Sequence, residues 1–122
     1  MDFECTRAFV TLAAVDFDRL VVFYSRLFAI EPRPYIPQRY AEFQLPSLRL
    51  GIFQPKPTHQ LEFKHGKSTM SVCLEVVDIE HAIAHLTDLG YPPPGEILTT
   101  SHGKEIYAYD PDANRLILHQ SC

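Results

Sequence analysis

Leu12-Ala13-Ala14-Val15-Asp16-Phe17-Asp18 returns 62 residues later as Leu74-Glu75-Val76-Val77-Asp78-Ile79-Glu80, and a pattern that recurs at a fixed offset reports architecture before any single residue does. Each copy is a short apolar run of strand character closed by an aspartate suited to capping a helix. An acidic residue follows in the first turn, where the helix dipole favours it. After Asp16, Leu20, Phe23, Tyr24 and Leu27 recur with helical spacing. After Asp78, Ile79, Ala82, Ile83 and Leu86 do the same, and Gly90 supplies a stop. Both copies therefore read as a strand followed by a helix with one buried face.

Working outward, each helix leads into a Pro-rich extended piece, around 31–36 and 95–99, and then into a hairpin. The first hairpin pairs 40–45 with 48–53 across Pro46-Ser47. The second pairs 105–109 with 115–119 across Asp110-Pro111-Asp112-Ala113-Asn114. Pro32, Pro34 and Pro37 suit an edge strand better than a central one. Each half thus reads β-α-β-β-β. The expected organisation is one α+β domain over 1–122, with module one at about 5–54, a polar linker at about 55–69 containing Pro55, Pro57 and Gly66, and module two at about 70–120.

Composition narrows the function classes. The 122 residues are 46% hydrophobic and carry 11 Lys+Arg against 15 Asp+Glu, a formal charge of −4. A chain this long can bury roughly two-thirds of its unfolded surface, so a core requires neither disulfides nor a structural metal. The acidic balance and the lack of a basic run argue against nucleic acid. No stretch approaches the roughly 18 apolar residues of a membrane span, and Met1-Asp2-Phe3-Glu4 has neither the basic start nor the apolar run of a secretory signal. The expected address is cytoplasmic, with no membrane partner. Cys5, Cys73 and Cys122 share no short spacing and read as reduced thiols.

Two β-α-β-β-β modules, a strand-Asp-helix unit containing Phe23-Tyr24, and an Asp-Pro-Asp-x-Asn turn before the last strand resemble the vicinal oxygen chelate superfamily. That group includes glyoxalase I, extradiol dioxygenases, fosfomycin-resistance enzymes and bleomycin-resistance proteins. The resemblance implies a fold of two tandem βαβββ modules whose curved sheets surround a trough, and in metal-dependent members a divalent ion held by the first and last strand of each module. It places the ligand positions at Phe9 and Gly51 in the first module and at Ser71 and Ile117 in the second. A transition-metal site needs about three ligands from His, Cys, Asp or Glu. None of the four residues supplies one, and a one-residue slip in register does not repair the set, so no metal and no cofactor is expected. With the first and last strands adjacent, Phe9 is expected to face Gly51 and to fill volume that a metal would occupy.

Strand alternation assigns the faces. Val10, Leu12, Leu48, Leu50, Ile52, Val72, Leu74, Leu116 and Leu118 read as helix-facing. The expected ligand-binding lining is Phe9, Thr11, Arg49, Phe53, Ser71, Cys73, Glu75, Tyr107, Arg115, Ile117 and His119, an apolar wall with a few polar groups. The face presented by Tyr40, Phe43, Tyr107 and Tyr109 stays open. Arg49 and Arg115 read either as forks for an anionic group or as solvated strand ends.

Other constellations weigh less. His81 and His85 have metal-sharing spacing but lack a third ligand, and read more simply as a solvent-facing pair. His59, His65 and His102 fall in loops, His102 being a candidate base. Cys73 reads as a buried, inert thiol.

The leading expectation is a metal-independent protein that binds an unidentified small molecule, as a homodimer. The alternatives are a lyase-like or dioxygenase-like enzyme with a non-standard site, with His102, His119 or Glu75 as its candidates, and a dimeric interaction module. No catalytic residue is assigned, and whether the chain is an enzyme stays open.

Overall fold

A computed structural model describes residues 3–64 and 68–122. His65 and Gly66 of the expected linker lie outside the described residues. The elements run β1 (Val10–Ala13), α1 (Phe17–Phe28), β2 (Tyr35–Ile36), β3 (Tyr40–Leu45) and β4 (Leu48–Phe53). They continue through a 3-10 turn (Pro57–Phe63) to β5 (Val72–Glu75), α2 (Ile79–Asp88), β6 (Leu98–Thr100), β7 (Gly103–Tyr109) and β8 (Arg115–Ser121). The chain divides into two compact units, the first carrying β1–β4 and most of α1, the second β5–β8 and α2. The α+β class and the twofold β-α-β-β-β order are those expected from the repeat. No helix among the described residues is long and apolar enough to cross a membrane.

The strand orders are β1-β4-β3-β2 and β5-β8-β7-β6, so the last strand of each unit lies beside the first. β1 runs parallel to β4 with Thr11 opposite Gly51, and β5 runs parallel to β8 with Cys73 opposite Ile117. The remaining pairings are antiparallel. β2 is an edge of two residues, as its flanking prolines require. The second hairpin is two residues longer at its open end than the sequence suggests. There Gly103, at φ 137°, pairs with Ser121.

Asp16 and Asp78 act as the repeat implies. Their carboxylates accept the N–H of Arg19 and of His81, each at 3.2 Å, a contact that contributes about 1 kcal/mol per helix. α2 gives way to Gly90 at φ 96°, whereas α1 stops at Ala29, which takes the left-handed conformation at φ 55° without a glycine to mark it in the sequence. The second helix start has an extra tie, since Ile79 N–H donates to Gln120 Oε1 at 2.8 Å.

One face of each sheet is closed by its helix. Ala41, Phe43, Leu50 and Ile52 are fully buried, as are Leu20 and Tyr24 of α1, with the Tyr24 and Phe43 rings 6.3 Å apart. In the second unit Ala108, Leu116, Ile79 and Leu86 are equally buried. Each such Leu, Ile or Phe contributes roughly 1.5–3 kcal/mol through removal from water. Alternation then sends the intervening residues to the opposite, open face of each sheet, and those residues form the candidate sites.

Candidate functional site

On the open face of the first sheet, β3 presents Tyr40, Glu42 and Gln44, and β4 presents Arg49, Gly51 and Phe53. The register places Glu42 directly across from Gly51 and Gln44 across from Arg49. Glu42 is only 7% exposed. A buried carboxylate persists when hydrogen bonds and a countercharge replace its water, and here both are present. Tyr40 Oη donates to Oε1 at 2.7 Å, Gln44 Nε2 donates to Oε2 at 2.6 Å, and Arg49 Nε lies 3.9 Å from Oε2.

These contacts set the protonation states. The Tyr40 hydrogen bond holds the Glu42 carboxyl below its usual 4.5 against the opposing cost of burial, with help from Gln44, Arg49 and Arg7. Burial, together with the hydrogen bond to and the charge of Glu42, pushes the Tyr40 phenol up to about 12. A carboxylate lowered in the folded state stabilises at pH above its unfolded value, and that contribution disappears as pH falls through the folded value. A raised phenol contributes fully below pH 10 and loses its contribution as pH rises through about 12. The wild type is therefore expected to lose stability more steeply than Glu42→Gln as pH falls below 4.5, read as urea midpoints. In alkaline absorbance titration, Tyr40→Phe is expected to remove a phenol that ionises near pH 12.

The network depends on Gly51. A Cβ there would stand 2.6 Å from Tyr40 Oη, 3.0 Å from Tyr40 Cε1 and 3.1 Å from Thr11 Cγ2, so the tyrosine occupies the space a side chain would need. This corrects the expected Phe9–Gly51 contact. Phe9 precedes β1 and is 43% exposed, and the strand partner of Gly51 is Thr11. The ring over Gly51 belongs to Tyr40, whose face the sequence left open. Phe53 borders the same face and meets Phe63 of the 3-10 turn edge-on at 5.2 Å, so the segment expected as polar linker also supplies an aromatic contact.

In the second unit the open face carries Ser71, Cys73, Glu75, Glu105, Tyr107, Tyr109, Arg115, Ile117 and His119. Arg115 is tied to the approach to β5. Its Nε donates to Ser71 Oγ at 2.6 Å, and Nη2 donates to the carbonyls of Ser68 and Met70 at 2.8 and 3.3 Å, so the guanidinium braces the approach to β5. Cys73, expected to be buried, is exposed, because β5 is an edge strand and the thiol lies on its helix-free side. Tyr107 is 43% exposed. Glu75 and His119, across from each other on β5 and β8, are hydrogen-bonded through Oε1 and Nδ1, and Ser121 Oγ donates to Glu75 Oε2 at 3.1 Å. His81 lies at the start of α2, its Nδ1 3.9 Å from Asp78.

The positions the resemblance assigns to a divalent ion carry Phe9, Gly51, Ser71 and Ile117, and they do not fit such an ion. Tyr40 fills the space at Gly51 and Arg115 engages the Ser71 hydroxyl. Among the described residues no group of three His, Cys, Asp or Glu side chains is placed to hold a metal. The Tyr40–Glu42–Gln44 network lies outside the lining expected from sequence. Its signal is a lone glycine inside a strand, which marks close approach by another group.

Paired β-α-β-β-β units with a parallel first-to-last strand pairing define a class of tandem-module proteins. The family model described as the Glyoxalase/Bleomycin resistance protein/Dioxygenase superfamily matches residues 7–118, and the chain belongs to that superfamily. Among solved structures it is similar to a glyoxalase/bleomycin resistance protein from Catenulispora acidiphila at 21% identity and TM-score 0.68, covering 94% of this chain and 97% of that one. It is also similar to a lactoylglutathione lyase from Agrobacterium tumefaciens at 16% identity and TM-score 0.71, covering 95% and 94%. A third is the fosfomycin resistance protein FosX from Listeria monocytogenes, as an E126Q mutant complexed with Mn(II) and 1S,2S-dihydroxypropylphosphonic acid, at 16% identity and TM-score 0.75, covering 98% and 95%. No match was found among curated proteins.

Proposed function

We propose that this chain is a metal-independent small-molecule-binding member of the superfamily, working as a cytoplasmic homodimer, and that its ligand rests on the open face of the first sheet. The observation that carries the reading is the seating of Tyr40 over Gly51. The place where the resemblance puts a chelating carboxylate holds a phenol instead, fixed by Glu42. Around it Thr11, Arg49 and Phe53 supply the mixed lining typical of small-molecule sites, with few polar groups in an apolar surround. Arg49 lies between a buried carboxylate and solvent, its side chain 36% exposed, and offers its remaining N–H groups to an anionic substituent.

The test is elemental analysis by plasma mass spectrometry on protein purified without chelators, followed by NMR shift mapping against a fragment library. Zn, Ni, Fe and Mn well below one per chain are expected, with shifts centred on Thr11, Tyr40, Arg49 and Phe53. A full equivalent of one of these metals, or fragments that never perturb this face, overturns the reading. A single-chain mass by light scattering at micromolar concentration contradicts the homodimer.

A further inference from the structure

On the open face of the second sheet, three strands bring side chains into one transverse row. His119 of β8 lies opposite Glu75 of β5 on one side and Glu105 of β7 on the other. The Nδ1–H of His119 donates to Glu75 Oε1. Glu75 is itself steadied through Oε2 by the Ser121 hydroxyl at 3.1 Å. No protein group among the described residues bonds Nε2 of His119, and the imidazole side chain keeps 20% of its surface in solvent. A carboxylate on one ring nitrogen fixes the tautomer and leaves the lone pair on the other as the proton acceptor, and it stabilises the imidazolium once a proton arrives. These are the parts of a general base: a proton acceptor, a group that orients it and a third group that orients the second.

One row further along, Tyr107 lies opposite Ile117 and is 43% exposed. A diagonal neighbour at that spacing is within reach of an aromatic side chain. An exposed phenol ring diagonal to an imidazole that keeps one nitrogen unbonded by the described residues suits a flat aromatic molecule carrying an acidic C–H.

We propose that Glu75 and His119 form a proton-transfer dyad acting on aromatic carbon acids, with His119 the catalytic base and Glu75 a positioning residue. The proposal goes beyond the binding reading and is independent of it, because it uses the other sheet and needs a chemical step. A probe that demands only a base and a flat surface is 5-nitrobenzisoxazole. Nε2 removes the C3 proton, the C–H electron pair completes the nitrile, and the N–O bond breaks to leave the cyanophenolate. The imidazolium then returns its proton to solvent, so no oxidant or co-reactant is needed.

The full-length protein is expected to convert the probe at least tenfold faster than free imidazole at equal concentration. His119→Gln is expected to abolish the excess. Glu75→Gln is expected to lower kcat about tenfold with little change in KM, and the long-range nitrogen–proton NMR spectrum of His119 should then lose its single-tautomer signature, a readout that a purely structural contact would leave uncoupled from kcat. Conversion no faster than imidazole, or unchanged in His119→Gln, overturns the proposal. If His119→Gln fails to fold, unaltered kcat in Glu75→Gln overturns it equally.

Discussion

Replacing Gly51 by alanine is expected to destabilise the protein by about 2 kcal/mol, as a shift in the urea midpoint at constant slope. The sign is informative, because Gly→Ala at an unhindered position stabilises by roughly 0.4–1 kcal/mol through the unfolded chain. At Gly51 the added methyl meets Tyr40 Oη at 2.6 Å and Cε1 at 3.0 Å, with Thr11 Cγ2 at 3.1 Å on its other side. The tyrosine can withdraw only by releasing Glu42 Oε1, which it now donates to at 2.7 Å. A carboxylate 7% exposed that loses a donor costs about 1–3 kcal/mol. In a Tyr40→Ala background the two contacts with the ring are gone and only Thr11 Cγ2 at 3.1 Å remains, so the alanine penalty is expected to shrink by more than 1 kcal/mol, within the range found for directly contacting pairs. Strict additivity of the two substitutions contradicts this account.

The second large effect is expected at Asp110. This side chain, 3% exposed, accepts the backbone N–H groups of Asp112 and Asn114 through Oδ1, each at 2.9 Å, and Asn114 Nδ2 through Oδ2 at 2.8 Å. It thereby organises the Asp-Pro-Asp-Ala-Asn turn, in which Ala113 adopts φ 65° and Asp110 N–H reaches back to Asn114 O at 3.0 Å. Removing one acceptor that serves three donors strands those donors at the end of the β7–β8 hairpin. Asp110→Ala is expected to cost about 3 kcal/mol, since hydrogen bonds to a charged group are each worth about 1.5–3 kcal/mol and relaxation toward water recovers part of the sum. Asp110→Asn keeps the shape and one acceptor oxygen and is expected to cost less. Hydrogen exchange at the amides of Asp112 and Asn114 should accelerate in the alanine variant before the strands open. Exchange at those amides that matches the wild type removes the turn-organising role.

Much of the fold is legible in the sequence because its signals are local or periodic. The 62-residue offset between Asp16 and Asp78 marks two strand-helix units, and both aspartates cap as their chemistry suggests. Alternation in 48–53 separates Leu50 and Ile52, which α1 covers, from Arg49 and Phe53 on the other face. Features that arise between strands are harder to read. Tyr40, Glu42 and Gln44 alternate as any solvated strand face does. Glu42 is a buried charge beside a cross-strand glycine that admits the Tyr40 ring, and that pairing is a property of register. The parallel register of β1 and β4 likewise puts Thr11 rather than Phe9 beside Gly51. Cys73 looks like a core thiol from its apolar flanks, but its strand ends a sheet. The Glu75–His119 contact joins residues 44 apart in sequence, and nothing local to either residue signals the other.

The pairing of first strand with last also orders events during synthesis. Val10 waits for Leu50, and Val72 for Leu116, so neither sheet can assemble progressively as the polypeptide emerges from the ribosome. Until residues 48–53 arrive, β1 and β3 have no strand between them, and the apolar face of α1 has only a partial surface to cover. Contacts of such long sequence separation form late, and the exposed edge meanwhile is open to association with other nascent chains. The centrally placed final strand makes each unit complete all at once, with its last residues as the closing piece.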